Sequence, residues 1–142
     1  MSLTLPTIVV MNLKKKLLVV DQSDSTKIIL DHFLGKEFDI IQKSNGYEAI
    51  DFLNSGVDID FLITELNLPL LNGKELIRKL RQSHLFSSLP ILLLTASSES
   101  KDRIECMNLG ADNFIEKPFN PFEIQARINA VLRLCRRTNY IQ

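Results

Sequence analysis

Glycine, cysteine, histidine and long apolar runs are all scarce in this chain, and each scarcity removes a class of function. Cys106 and Cys135 are the only cysteines; they fall in segments that read as helices, with no CxxC spacing and no histidine beside them. They read as reduced, half-buried thiols of a cytosolic protein, which argues against a metal centre or a disulfide framework. The two histidines, His32 and His84, sit in or at the end of helical segments, so no Ser-His-Asp arrangement supports a small hydrolase. No apolar run approaches the roughly 20 residues of a membrane span. Met1-Ser2-Leu3 has the look of an expression remnant, and no secretory leader is expected after it. A surplus of charge is missing too: Lys+Arg and Asp+Glu both number 17, leaving no basic field to hold nucleic acid. The cluster Arg133, Arg136 and Arg137 is too short to change that, and a helix-turn-helix would need a further helix pair. The expectation is a soluble cytoplasmic protein with no direct nucleic-acid or membrane partner.

What is present is an ordinary globular composition. With 142 residues, 45% of them hydrophobic and 24% charged, the chain has enough apolar content for one core. Leu17-Leu18-Val19-Val20 is an all-apolar run stopping at Asp21, as a fully buried strand does. Ser23 or Asp24 caps a helix in which Ile28, Ile29, Phe33 and Leu34 recur at helical spacing until Gly35. Phe38–Ile41 is a second strand, and Gly46–Leu53 a second helix with Tyr47, Ala49, Ile50 and Leu53 available to pack inward. Phe61–Thr64 is a third strand ending at Glu65. After a loop carrying Pro69, Asn72-Gly73 leads into a third helix over Lys74–Gln82. Ile91–Leu94, closed by Thr95, is a fourth strand. Ser97-Ser98-Glu99-Ser100 caps a fourth helix that ends near Leu109-Gly110. Asn113–Glu116 is a fifth strand, and Pro121 starts a fifth helix running at least to Leu134.

Five apolar strands alternating with five helices predict an α/β fold with a parallel sheet covered on both faces. Right-handed crossovers leave a flavodoxin-like, doubly wound sheet with strand order 2-1-3-4-5 as the best arrangement. Neither a repeat nor a low-complexity tract interrupts it. The apolar run Thr7-Ile8-Val9-Val10-Met11 fits no slot in this count, and residues 1–13 read as an N-terminal arm or linker.

Open parallel sheets bind ligands outside the carboxyl ends of their strands. Those ends carry Asp21 and Gln22, Glu65, Thr95 and Lys117. Two carboxylates, an amide, a hydroxyl and an ammonium therefore converge on one region. Each alone has a bland explanation as a cap or a solvated charge, but five strand-end positions together point to a shared site.

Four segments carry a resemblance: Leu17-Leu18-Val19-Val20-Asp21-Gln22-Ser23, Leu62-Ile63-Thr64-Glu65-Leu66-Asn67-Leu68-Pro69, Leu94-Thr95-Ala96 and Gly110-Ala111-Asp112-Asn113-Phe114-Ile115-Glu116-Lys117-Pro118-Phe119. In order and spacing, from about Lys15 to Leu134, the chain resembles the receiver domain of two-component response regulators. The resemblance implies a receiver domain over 14–135, with 136–142 prolonging the last helix or forming a linker. In that family two acidic residues after the first strand and an aspartate after the third hold Mg²⁺, and the aspartate accepts a phosphoryl group from a histidine kinase. The resemblance carries over Asp21, Thr95, Phe114 and Lys117, the last three as positions that sense the phosphoryl group. It also implies a cis bond between Lys117 and Pro118.

Two positions depart. The second acidic residue is Gln22, and the phosphoacceptor position is Glu65. Mg²⁺ favours hard oxygen ligands in near-octahedral array at about 2.0–2.1 Å, and Gln22 supplies a neutral one. Glu65 is a methylene too long, and in-line transfer loses on the order of a hundredfold for ~1 Å of displacement. The expectation is a degenerate acidic pocket of Asp21, Gln22, Glu65 and Asn67, with no resident metal, Mg²⁺ binding that is weak at most, no enzymatic activity, and no efficient phosphorylation. Glu65 is expected either to pair with Lys117, with Thr95 in hydrogen-bonding reach, or to imitate a phosphoryl charge in part. The chain then reads as a pseudo-receiver, an interaction module of phosphorelay signalling. A phosphorylation-competent receiver with weak Mg²⁺ binding is one alternative. A flavin- or nucleotide-binding flavodoxin relative is another, disfavoured because no glycine lies between Leu17 and Leu34 to admit a phosphate.

Receivers commonly signal through the fourth helix, fifth strand and fifth helix. Here that face offers Arg103, Glu105, Asp112, Glu123, Arg127, Arg133 and Arg136. In relatives that dimerise there, the Arg103 and Glu123 positions pair across the interface, as do those of Asn113 and Arg127. The expected partners are proteins: a histidine kinase, an output domain such as a diguanylate cyclase, another receiver, or a second copy of this chain.

Overall fold

The computed structural model describes residues 14–97 and 99–141, with side chains described through Cys135; the Thr7–Met11 run and the Arg136 and Arg137 side chains lie outside that set. The elements run β1 (Lys15–Val20), α1 (Asp24–Leu34), β2 (Phe38–Lys43), α2 (Gly46–Asn54), β3 (Phe61–Thr64), α3 (Gly73–Gln82), β4 (Ile91–Thr95), α4 (Ser100–Leu109), β5 (Asn113–Glu116) and α5 (Pro121–Ile141). All strand pairings are parallel, in the order β2-β1-β3-β4-β5. This is the flavodoxin-like arrangement, and it follows from strands that bury both faces. Leu18, Val20, Leu62 and Leu93 turn to one side, where α2, α3 and Cys106 of α4 cover them. Leu17, Val19, Ile63, Leu92 and Leu94 turn to the other, under Leu30 and Leu34 of α1 and Ile124 and Ile128 of α5. Alternation at period two thus builds two cores from one apolar run.

Several local expectations need correction. Only the inner strands β1, β3 and β4 are apolar and buried through most of their length. The edge strands β2 and β5 expose Asp39 and Glu116, because a strand with one neighbour needs to bury less. In α1 the buried positions are Thr26, Leu30 and Leu34, whereas Ile28 is 68% exposed and Ile29 and Phe33 are also open. The sheet accepts one narrow helix face, and α1 carries more apolar residues than that face holds. Tyr47 likewise points outward from α2. Cys106 is fully buried rather than half-buried. The α4 N-cap is Glu99, which makes no side-chain capping bond; Ser97 Oγ instead donates to Asp102 Oδ2 at 3.0 Å.

Register brings the functional ends level. Glu65 N donates to Val20 O at 2.9 Å, Lys117 N to Thr95 O at 2.8 Å and Asp21 N to Lys43 O at 3.0 Å, so each ladder continues one residue past its strand. The turn after β3 is held by close approach. A Cβ on Gly73 would stand 2.3 Å from Glu65 O and 2.9 Å from Leu66 Cα, so only glycine lets α3 begin against the backbone of Glu65. Gly73 N donates to Leu66 O at 2.9 Å, and the Asn72 side chain caps α3 by accepting from Glu75 N.

Candidate functional site

Asp21 follows β1 with its side chain only 3% exposed. One carboxylate oxygen, Oδ1, accepts from Ser23 N at 2.8 Å, and the other, Oδ2, accepts from Lys117 Nζ at 2.8 Å. A buried carboxylate is thereby satisfied on both oxygens, once by backbone and once by an ammonium. Lys117 follows β5, and its peptide bond to Pro118 is cis.

Glu65 follows β3 and is buried. Its Oε1 accepts from Ala96 N at 3.4 Å, a long bond, while Oε2 is buried with no hydrogen-bond partner. Burial pushes its carboxyl above the ordinary range. The Lys117 charge and the Ala96 and Leu66 N–H groups oppose that rise, and the neighbouring Asp21 charge adds to it.

The expected contact between Lys117 and Glu65 is therefore not made: the ammonium lies on Asp21 and acts on Glu65 only through its field. Asp21 is short and buried at the strand end, so it holds the lysine at hydrogen-bond distance, whereas the longer Glu65 turns toward Ala96. Thr95 does not reach Glu65 either. Its fully buried hydroxyl accepts from Ser97 N at 3.0 Å, tying down the loop after β4. Gln22 and Asn67 are both exposed at the rim. Of the pocket positions read from sequence, Asp21, Glu65, Thr95 and Lys117 come together, and Gln22 and Asn67 stand outside. The Ala96 and Leu66 N–H donors were not anticipated. Backbone donors leave no mark on residue type, and the β3–β4 register, which pairs Thr64 with Leu93, sets Glu65 level with Leu94 and not with Ala96.

These donors do not suit a resident Mg²⁺. Gln22 offers a neutral, exposed oxygen, and an ammonium already occupies the one carboxylate that precedes it. Among the described residues no three His, Cys, Asp or Glu side chains cluster as a metal site.

On the outer face, Arg103 donates to Glu116 Oε1 at 2.8 Å and stacks its guanidinium 5.1 Å from the centre of the half-buried Phe114 ring. Arg127 donates to Asn113 Oδ1 at 2.7 Å and to Glu123 Oε1 at 3.2 Å. The residues put forward as partners across an interface are thus paired within one chain. Asp112 is not a free surface charge: its Oδ2 accepts from Ile91 N at 2.8 Å and from Arg81 at 3.1 Å.

The strand order is that of the family to which comparison with known proteins assigns the chain. The response regulator receiver domain profile matches residues 17–129. The chain belongs to this family. It is 38% identical over 122 residues to the alkaline phosphatase synthesis transcriptional regulatory protein PhoP of Bacillus subtilis, covering 85% of this chain and 50% of that protein. It is 34% identical over 119 residues to a chemotaxis protein CheY homolog of Campylobacter jejuni, covering 82% of this chain and 92% of that one. Among solved structures it is similar to a putative response regulator from Chloroflexus aurantiacus, with a TM-score of 0.79, 31% identity, and coverage of 84% of this chain and 98% of that one. The chain spans about half the length of PhoP and of the regulatory protein VanRc of Enterococcus gallinarum. Its function is that of a receiver domain of two-component signalling. No described helix is long and apolar enough to cross a membrane.

Proposed function

We propose that this receiver domain is a pseudo-receiver, an interaction module that signals without being phosphorylated and catalyses no reaction itself. The observation that carries this reading is the state of Glu65. A phosphoacceptor must present a free carboxylate oxygen to the incoming phosphorus, in line with the leaving group and beside a charge-neutralising cation. Glu65 instead leans on Ala96 N with its other oxygen buried, and Asp21 holds Lys117. Nor does Glu65 imitate a phosphoryl group, whose charge of about −1.5 to −2 would draw the lysine and the sensing hydroxyl toward it; Lys117 and Thr95 are engaged elsewhere. On this reading Mg²⁺ binds in the millimolar range or more weakly, and no cofactor is required. The partners are proteins: a histidine kinase, an output domain or another receiver, met on the face of α4, β5 and α5.

The test is covalent. After incubation with Mg²⁺ and acetyl phosphate, the intact chain is expected to show no added phosphoryl mass, and the Gln22→Asp, Glu65→Asp double variant to acquire some. A hydroxylamine-labile phosphoryl group on the natural chain at Glu65 would make it a competent receiver and end the proposal.

A further inference from the structure

The sheet has two edges, and they differ. Strand β5 is four residues long, and its end residues are tied to the helices on either side, Glu116 to Arg103 of α4 and Asn113 to Arg127 of α5. Strand β2 is six residues long and, among the described residues, pairs only with β1. Its side-chain bonds run away from the edge: Gln42 Nε2 donates to Lys27 O of α1 at 2.9 Å, and Asp39 pairs with Lys16 of β1 at 3.7 Å. One backbone bond fixes which way the strand faces. Asp21 N donates to Lys43 O, and a parallel strand turns alternate residues to the same neighbour. Lys43, Ile41 and Asp39 therefore face β1, while Phe38, Ile40 and Gln42 direct their N–H and C=O groups outward.

Beside this edge lies a groove of ≈ 580 Å³ between β2 and α1. Ile40 and Gln42 form one wall, and Lys27, Ile28, Asp31 and His32 form the other. The lining is mixed: Ile28, 68% exposed, and the half-buried Ile40 are its apolar part. We propose that β2 and this groove bind an extended segment of a partner protein, which adds a strand to the sheet. The outward backbone groups set the class of partner, because a row of alternating donors and acceptors is matched by another extended backbone. A strand laid there turns every second side chain toward α1. Ile28 and Ile40 favour a β-branched or apolar group at that wall, and Lys27, Asp31, His32 and Gln42 accept polar ones. A valine–threonine alternation meets both demands. The site lies at the opposite edge of the sheet from β5, so a partner here leaves the face of α4, β5 and α5 free.

The probe is a soluble heptapeptide, acetyl-Lys-Thr-Val-Thr-Val-Thr-Lys-amide, added to the isotopically labelled full chain while amide hydrogen exchange is followed by nuclear magnetic resonance. In the free chain the amides of Ile40 and Gln42 are expected to exchange fast, and those of Asp39 and Ile41 slowly. Saturating peptide is expected to slow Ile40 and Gln42 about tenfold, as new strand pairing does. The same peptide with proline in place of both valines cannot pair along its length and is expected to leave them unchanged. Ile28→Asp, at an exposed position, is expected to weaken binding of the valine peptide about tenfold. Slow exchange at Ile40 and Gln42 in the free chain would overturn the proposal, since the chain itself, or a second copy if the protection grows with concentration, would then cover the edge. So would unchanged exchange with the valine peptide, equal protection by the proline peptide, or full affinity in Ile28→Asp.

Discussion

A carboxyl group whose burial raises its proton affinity makes the folded state bind a proton more tightly than the unfolded chain does. For Glu65 this contribution to stability is complete below the ordinary glutamate value of 4.5 and is lost as pH rises from there through the raised folded-state value. Glu65→Gln keeps the volume and removes the charge. It is therefore expected to be more stable than the natural chain at neutral pH, by about 1 kcal/mol, with the difference vanishing near pH 4. Urea midpoints measured across that range would show it. Lys117→Ala should act in the opposite direction. It strands the buried Asp21 carboxylate and removes the charge that restrains Glu65, at a cost of about 3 kcal/mol. A Lys117→Ala midpoint equal to that of the natural chain would mean that the pair contributes nothing. Asp21, Thr95 and Lys117 were legible as site residues because strand ends are legible. Their partners were not, since the choice of Asp21 over Glu65 depends on side-chain length and burial that spacing does not report.

Elements were easier to read than their orientation. Strands and helices announced themselves through apolar runs, caps and glycines, and Gly110 closes α4 at φ 123°, a conformation that favours glycine. The inward face of α1 was misread because Ile28, Ile29 and Phe33 are as apolar as the residues that do face the sheet. One structural device was invisible in the sequence. Arg81, near the end of α3, donates to Gly110 O at 2.9 Å, Leu89 O at 2.7 Å and Phe86 O at 3.2 Å, and pairs with Asp112. A single guanidinium thus fastens the loop before β4 to the loop before β5, donating to the carbonyls of Gly110 and Leu89 and adding a second donor to that of Phe86, which also accepts from Leu89 N. Arg81→Ala is expected to cost about 3 kcal/mol and Arg81→Lys most of that, because one ammonium cannot span the same acceptors. Thermal unfolding of the two variants side by side would distinguish lost geometry from lost charge.

For the molecule as a whole, the parallel order follows from five apolar runs joined by helical crossovers, and the two cores are the two faces of those runs. The outer face of α4, β5 and α5 carries Ile104 and Met107 beside Phe114, with Arg103 and Arg127 already bound to partners on their own chain. A homodimer on this face must exchange bonds within the chain for bonds between chains, and exposed ion pairs gain only about 0–1 kcal/mol each. Sedimentation at micromolar concentration is accordingly expected to find monomer; a stable dimer there would require those arginines to turn outward.

The bond between Asp21 and Lys117 joins residues 96 positions apart. A chain emerging from the ribosome therefore exposes Asp21 early and its counter-charge only when the fifth strand has been made. Until then the aspartate remains hydrated, and drawing it into the sheet is unfavourable. Closure of the pocket belongs to the last stage of assembly, when the long loop between the two residues has been shortened by the strands within it. A truncated product lacking the fifth strand keeps a carboxylate without its cation at the centre of its sheet, a mark of incompleteness built into the fold.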